Sequence, residues 1–173
     1  MRFAILLVAS FLSFAMGFVV AVLDPRPILP PAPLPERLMA APAPYVYPVR
    51  TVIDIHDGDT MTVLVDLGFD TMRRVIVRLS GVDTPEVTGA QKVAGKAVRD
   101  WVVTAVGKAQ VVVLESKDLD KYGRSLAVLY LDGKSLNATL VGQGMALTYD
   151  GGDRAGTWTP ELLAKAADRA SRP

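Results

Sequence analysis

The sequence predicts an α+β fold in which a small closed β-barrel carries helices packed against it. Short β-rich runs separated by turn residues come first, a periodic helical segment follows, and two more strands precede two more helices. The order contains no strand–helix–strand alternation and no internal repeat, so a parallel α/β sheet is not indicated.

Five strands are predicted from apolar or β-branched runs that turn signals separate. The first two flank a turn at residues 56–59, and the third follows a turn near Gly68. The last ends at Asp132-Gly133, a strong two-residue hairpin signal. The predicted strands cover residues 49–55, 60–66, 75–79, 111–114 and 126–131.

Three helices are predicted after the third strand. From Lys92 onward an apolar residue recurs at every fourth position between Val93 and Ala105, with valines beside that stripe. Residues 137–143 read as a short helix that ends at a glycine. The last helix opens at Thr159, a capping residue that is followed directly by a proline.

The N-terminal part of the chain is built differently. Residues 3–23 form an apolar run broken only by two serines and a glycine, long enough to cross about 30 Å of hydrocarbon as a helix. The alternatives are a secretory signal cleaved after Ala15, which would leave a secreted protein, and a buried core helix. Because the run continues past Ala15, we expect a membrane anchor, and the short cationic start predicts that the rest lies outside the cytoplasm.

Most of the prolines fall in residues 24–48, which show neither strand nor helix periodicity. Each proline removes a hydrogen-bond donor and biases its predecessor to extended backbone, so this stretch is predicted to be a semi-rigid spacer. The domains are therefore predicted as an anchor at 1–23, a linker at 24–48 and a single domain at 49–173, which we expect to be monomeric and without a protein partner.

Composition excludes several classes of site. Among 173 residues there is no cysteine and one histidine, which excludes disulfides, thiolate zinc sites, cysteine nucleophiles and motifs that need two histidines. Lys plus Arg is 19 and Asp plus Glu is 18, a net charge of +1. Since the net charge is not strongly positive, any binding of a polyanion must come from the local placement of basic residues.

Two acidic motifs stand at turns of the predicted barrel. DGDT occupies residues 57–60 and DTPE occupies residues 83–86. Taken alone, each is most simply a turn, and an EF-hand is excluded because its alternating oxygen ligands and final glutamate are absent. Asp83 and Glu86 at a strand end also suit a hard cation with one carboxylate left over as a base.

Two arginines accompany these turns. Arg78 lies on the third strand, and Arg124 ends the charged turn DKYGR at 120–124, which taken alone is most simply an exposed turn. His56 is more simply a turn or partly buried residue than a catalyst. Together the acids and arginines meet the needs of phosphodiester hydrolysis: cationic groups neutralise the phosphoryl oxygens while a carboxylate activates water.

In order and spacing, these motifs resemble the staphylococcal nuclease (thermonuclease) family. The resemblance rests on DGDT, on Arg78 five residues before Asp83, on DTPE and on DKYGR. The run at 136–144 is also similar to that family's short helix and its glycine end. The resemblance covers nearly all of residues 49–170, and it implies a five-stranded OB-fold barrel with three packed helices.

The resemblance also implies a calcium-dependent nuclease that cleaves DNA and RNA and leaves 3′-phosphate ends. Ca²⁺ would be held by the carboxylates of Asp59 and Asp83 and by the backbone carbonyl of Thr84. Glu86 would be the general base that acts on the attacking water.

The remaining site residues follow from the same resemblance. Arg78 and Arg124 would clamp the scissile phosphate, and Lys121 and Tyr122 match positions that line the nucleotide pocket. The family's tyrosine pair after the second helix is reduced here to Tyr149, which predicts weaker base stacking.

Two other functions stay open at this point. One is an OB-fold module that binds nucleic acid without cleaving it, and the other is a membrane-anchored interaction protein. Non-catalytic relatives usually lose the acids and arginines, all of which are present in this chain. We therefore expect a nuclease.

Overall fold

The computed structural model describes residues 45–150 and 158–172. The predicted anchor at 3–23 and nearly all of the proline-rich linker lie outside the described residues. Within the described part, no helix is both long enough and apolar enough to span a bilayer.

A β-barrel forms the centre of the domain. Within the described residues the strands are β1 (Tyr45–Ile55), β2 (Thr60–Asp66), β3 (Met72–Leu79), β4 (Val82–Asp83), β5 (Val112–Leu119), β6 (Ser125–Leu131), β7 (Lys134–Ser135) and β8 (Leu147–Thr148). The barrel runs in the order β3-β2-β1-β5-β6, all antiparallel, and a short parallel pairing of β3 with β6 closes it. The predicted five-stranded OB-fold barrel is confirmed.

The described part has three helices: α1 (Lys92–Lys108), α2 (Leu136–Gly142) and α3 (Pro160–Ala170). α1 and α2 pack against the barrel, and α3 packs against α1. A single 3₁₀ turn at Gly89–Gln91 leads into α1. The Thr159 hydroxyl accepts a hydrogen bond from the Leu162 N–H at 3.3 Å, so the predicted cap of the last helix is confirmed.

The buried face of α1 differs from the predicted stripe. Val98 and Val102 are fully buried, whereas Val93 is 79% exposed. The reason lies at Gly95, which packs directly against the backbone of Glu86. Because successive residues are rotated by about 100° around a helix, a helix that turns Gly95 inward must turn Val93 outward.

The core fills the barrel and the space under the helices. Alternate residues of β2 and β3 point inward, as the period of a strand requires. Fully buried side chains include Met61, Val63, Val77, Leu79, Val98, Val102, Leu114, Leu129, Leu136, Leu140 and Met145.

Three strands are longer than predicted. β1 begins at Tyr45 because residues 45–48 pair with β5 before the strand passes to β2 at Val49. Pro48 lies at this change of partner, where a missing N–H disturbs the ladder least. β3 begins at Met72 and β5 runs to Leu119, since their ladders continue past the apolar runs into charged residues.

Candidate active site

Asp59 stands directly before β2 with 4% of its surface exposed. Its Oδ2 accepts hydrogen bonds from the backbone N–H and the hydroxyl of Thr84 at 2.7 and 2.9 Å. Its Oδ1 accepts a bond from the Thr60 hydroxyl at 3.1 Å. These contacts join two turns that lie 25 residues apart, so the two acidic motifs of the sequence form one site.

Asp83 lies on β4 and is also buried, at 7% exposure. β4 pairs with β8 through Asp83 and Leu147. The indole Nε1 of Trp158 donates a hydrogen bond to Asp83 Oδ2 at 3.2 Å. Sequence reasoning missed Trp158, and the available signal was a large aromatic side chain directly before a helix cap.

Arg78 at the end of β3 lies between the two carboxylates. Its Nη1 forms an ion pair with Asp59 Oδ1, and its Nη2 lies 3.6 Å from Asp83 Oδ1. Nη1 is buried, and no hydrogen bond of acceptable geometry reaches it from the described residues. Arg78 therefore links Asp59 to Asp83, and two buried acids share one guanidinium.

Asp57 adds a third carboxyl group to the site. The backbone N–H of Asp59 donates a hydrogen bond to Asp57 Oδ1 at 3.1 Å. Burial raises the pKa of Asp57 to about 6, and the nearby charge of Asp59 acts in the same direction. Sequence reasoning placed Asp57 in the motif but gave it no role of its own.

Glu86 is held through its backbone. Its N–H donates a hydrogen bond to Gln91 Oε1 at 2.8 Å. Its carbonyl packs so closely against Gly95 that no Cβ would fit at that position. The start of α1 thus sets the position of Glu86, three residues after Asp83. Neither Gln91 nor Gly95 was expected to serve the site.

Arg124 belongs to a second cluster at the turn between β5 and β6. Asp120 Oδ1 accepts hydrogen bonds from the backbone N–H groups of Tyr122 and Arg124 at 2.9 Å, and its Oδ2 accepts one from Arg124 Nε at 2.6 Å. Burial would raise the pKa of Asp120, but the hydrogen bonds and charge of Arg124 outweigh it and lower that pKa. Asp120 is therefore a positioning residue for Arg124.

Lys121 and Tyr122 lie in this same turn. The Tyr122 ring is 72% exposed, and the Lys121 Nζ and the Arg124 Cζ lie 5.1 and 5.4 Å from its centre. Both cations are within cation–π range, so the turn combines an exposed aromatic ring with two positive charges. A cleft of about 390 Å³ adjoins it and is lined by Tyr122 and Arg124 among others.

The topology brings the two clusters to the same edge of the barrel. In the parallel pairing of β3 with β6, Arg78 is paired with Leu126, and Arg124 precedes Leu126 by two residues. Arg124 directly precedes β6, so the two arginines lie at the paired ends of neighbouring strands. No ion pair of the described residues links the two clusters directly.

His56 does not join either cluster. Its Nδ1 lies 3.1 Å from Asp54 Oδ2, and its Nε2 lies 3.2 Å from the Thr62 hydroxyl. The ring therefore links β1 to β2 beside the turn, a structural role of the kind the sequence suggested.

The donor set at the acidic cluster suits a hard cation. Asp59 and Asp83 offer carboxylate oxygens, the ligand type that Ca²⁺ prefers. In this structure both carboxylates contact the guanidinium of Arg78. Among the described residues no three acidic or histidine side chains converge as a metal cluster, so an ion here would be completed by backbone oxygen and water. Thr84 offers its N–H and hydroxyl to Asp59, which holds that carboxylate in place.

The chain is similar to a known protein family and to several curated proteins. The profile of the family described as "Staphylococcal nuclease homologue" matches residues 76–172. An "Uncharacterized endonuclease" of Haemophilus influenzae is 37% identical over 100 residues, which cover 57% of this chain and 51% of that protein. "Endonuclease YncB" of Bacillus subtilis is 35% identical over 95 residues, covering 52% of this chain and 43% of that protein.

A third relative is the "Micrococcal nuclease" of Shigella flexneri, 33% identical over 107 residues that cover 57% of this chain and 56% of that protein. The chain spans about half the length of the curated relatives it matches. The family profile begins at residue 76, so Asp59 lies outside the matched range. Its two hydrogen bonds to Thr84 connect it to that range.

Proposed function

The chain belongs to the staphylococcal nuclease family, and from this membership and the geometry of its site we propose that it is a metal-dependent endonuclease. It hydrolyses phosphodiester bonds in DNA and RNA and leaves 3′-phosphate ends. Three relatives of similar sequence carry the names endonuclease or micrococcal nuclease, which supports this assignment.

One observation carries the proposal. Arg78 is held between two buried carboxylates at the same barrel edge that presents Arg124. Burying two acids beside one arginine costs desolvation free energy, and apolar residues at these positions would stabilise the fold as well or better. Stability alone therefore does not explain this arrangement. A site that must bind a phosphodiester and a cation needs this arrangement of opposite charges.

We assign the roles of the residues from the family resemblance. Glu86 is the general base that takes the proton of the attacking water, and the fixing of its backbone by α1, three residues after Asp83, supports this role. Arg78 and Arg124 bind the phosphoryl oxygens, and a planar guanidinium fork can hold two of them at once. Lys121 and Tyr122 bind the nucleotide beside the scissile bond, with the ring of Tyr122 as a stacking face.

Calcium is the proposed cofactor. Asp59, Asp83 and the backbone carbonyl of Thr84 would hold Ca²⁺, which supplies positive charge against the phosphoryl oxygens when bound. The chain's own contribution is to keep Asp59 fixed through Thr84 and Asp83 fixed through Trp158.

We further propose that residues 3–23 tether the domain to a membrane, with residues 49–173 outside the cytoplasm on a linker at 24–48. The apolar run and the proline-rich composition support this arrangement. If the apolar segment is cleaved instead, the same domain is secreted. Carbonate extraction of the native protein, with mass spectrometry of its N-terminus, separates these two outcomes.

The nuclease proposal is tested by digestion of labelled single-stranded DNA and RNA with the full chain, in Ca²⁺ and in EGTA. We expect cleavage in Ca²⁺, none in EGTA, and products with 3′-phosphate ends. Glu86→Gln should lower kcat by roughly 10²- to 10⁴-fold with little change in KM, as loss of a general base does.

Glu161→Gln is the matched control, because this glutamate lies in the first turn of α3. It should leave kcat within about twofold of the parent. If the parent binds both nucleic acids but cleaves neither in Ca²⁺, the chain is a binding module and the enzymatic proposal is wrong.

A further inference from the structure

A cleft opens where β3 and β6 separate. The two strands pair only from Val77 and Ser125 onward, so the first half of β3 stands apart from the turn between β5 and β6. The cleft has a volume of about 390 Å³. Arg73 and Arg74 line one wall, and Tyr122, Gly123 and Arg124 line the other. A substrate bound at Arg124 therefore meets two more arginines across the cleft.

Arg73 and Arg74 are exposed, and neither makes an ion pair or side-chain hydrogen bond with any described residue. This contrasts with Arg78 and Arg124, which both contact acids. Asp66 on β2 pairs with Met72 in the ladder, and its carboxylate accepts a hydrogen bond from the Gly68 N–H at 2.8 Å. The positive charge on this wall is left to face the solvent.

The spacing along β3 suits a polyanion. Arg74, Ile76 and Arg78 share one face of the strand, and Ile76 is 48% exposed between the two arginines. At about 3.3 Å per residue, Arg74 and Arg78 are about 13 Å apart along the strand. Side chains from positions so far apart would reach different phosphates of one nucleic-acid strand, and the exposed Ile76 between them would lie beside a sugar or base.

The hairpin beyond these arginines carries an exposed aromatic residue. Phe69 and Asp70 have φ angles of 51° and 58°, and the Thr71 N–H donates to the Gly68 carbonyl at 2.9 Å. This is a type I′ turn, which favours Asn-Gly, whereas phenylalanine with positive φ is strained. The Phe69 side chain is fully exposed, so burial in the described fold does not offset this strain.

We propose that the β2–β3 hairpin, residues 67–74, is a second nucleic-acid contact that holds the substrate strand beyond the cleavage site. Arg73 and Arg74 bind phosphates, and Phe69 stacks on a base. The inference rests on the proposed function for the identity of the occupant. Charge complementarity and continuity with Arg124 through the shared cleft favour a nucleic-acid strand over a lipid surface.

The first test measures binding of fluorescein-labelled dodecathymidylate to the full chain, in neutral detergent and on a Glu86→Gln background. Arg73→Gln with Arg74→Gln should weaken binding and reduce the slope of log K against log salt by about 1.4, the value for two lost single-strand phosphate contacts. Lys108→Gln with Lys134→Gln, two exposed cations at the opposite end of the barrel, should leave the slope unchanged.

The second test uses Phe69→Asn, which fits the turn better. The melting temperature should stay equal or rise, while binding of dodecathymidylate should weaken by about tenfold. A purely structural role for Phe69 would move both quantities in the same direction or leave binding unaltered, and either result overturns the stacking role.

The outcomes separate this inference from the nuclease proposal. If the parent chain cleaves DNA and the salt slope of the double variant equals that of its parent, the hairpin contact is wrong and the nuclease stands. If the slope falls but the parent cleaves nothing, the contact stands and the enzymatic proposal fails. If the double variant loses binding to phosphatidylglycerol vesicles while its DNA slope is unchanged, the hairpin binds lipid and the inference is overturned.

Discussion

The two halves of the proposed active site are built in different ways. The acidic half joins residues that lie far apart in the sequence: 25 residues separate Asp59 from Thr84, and 75 separate Asp83 from Trp158. The arginine half is local, because Asp120 holds Arg124 across four residues of a single turn. The acids are buried, whereas the Arg124 side chain is 31% exposed.

This contrast indicates which variants will affect folding and which will affect only the chemical step. Changes in the acidic half remove contacts that tie several elements together, so they should lower stability as well as activity. Changes in the arginine half disturb one solvent-facing turn, so activity should fall while stability stays nearly constant.

The largest effect is expected for Asp59→Ala. The change leaves the buried Arg78 without its closest charge partner and removes the acceptor of both Thr84 bonds. We expect the free energy of unfolding to fall by about 3–5 kcal/mol, measured by denaturant titration.

Asp168→Ala provides the comparison, since Asp168 forms the same kind of ion pair with Arg172 on an exposed face. That pair should contribute no more than about 1 kcal/mol. Equal losses in the two variants would mean that burial does not distinguish the acidic half.

An intermediate effect is expected for Gly95→Ala. A Cβ at this position would collide with the Glu86 backbone carbonyl, which cannot move aside as a flexible side chain can. We expect a loss of about 1–3 kcal/mol in unfolding free energy, together with a lower kcat because Glu86 is displaced.

Gly107→Ala lies in the same helix and meets no atom within 4 Å. It should raise the unfolding free energy by up to about 1 kcal/mol and leave kcat unchanged, because alanine suits a helix better than glycine. A destabilising Gly107→Ala would indicate that helix propensity does not explain the contrast.

The smallest effect on stability is expected for Asp120→Asn. The asparagine keeps the size of the side chain but loses the charge that orients the Arg124 guanidinium. We expect kcat to fall by about ten- to a hundredfold with KM nearly constant, and stability to change by less than about 1 kcal/mol. Steady-state kinetics and thermal melts check both parts.

A pH series sharpens this prediction. Because the pKa of Asp120 is lowered in the fold, its contribution to stability is present above its ordinary value of 3.8 and is lost as the pH falls from there through the lowered pKa. The difference in melting temperature between the parent and Asp120→Asn should therefore shrink below about pH 4. A difference that stays constant down to pH 2 would contradict the ionised Asp120–Arg124 pair.

The features that could be predicted from the sequence are those that short-range chemistry controls. The hydroxyl of Thr159 caps the last helix, and Asp132-Gly133 makes the turn after β6, because a few neighbouring hydrogen bonds and φ angles decide such features. The turn at 120–124 was identified for the same reason. The order of strands and helices predicted a closed barrel, and the order and spacing of the motifs led to the family and hence to the OB fold.

Contacts between distant elements could not be predicted in this way, because they depend on tertiary packing. No local pattern links Trp158 to Asp83 or Gly95 to Glu86, since both contacts exist only once β4, α1 and α3 have packed. The cleft lined by Arg73 and Arg124 likewise depends on where the pairing of β3 with β6 stops. The sequence shows which side chains are present. The closure of the barrel and the packing of its helices set which distant side chains share one buried space.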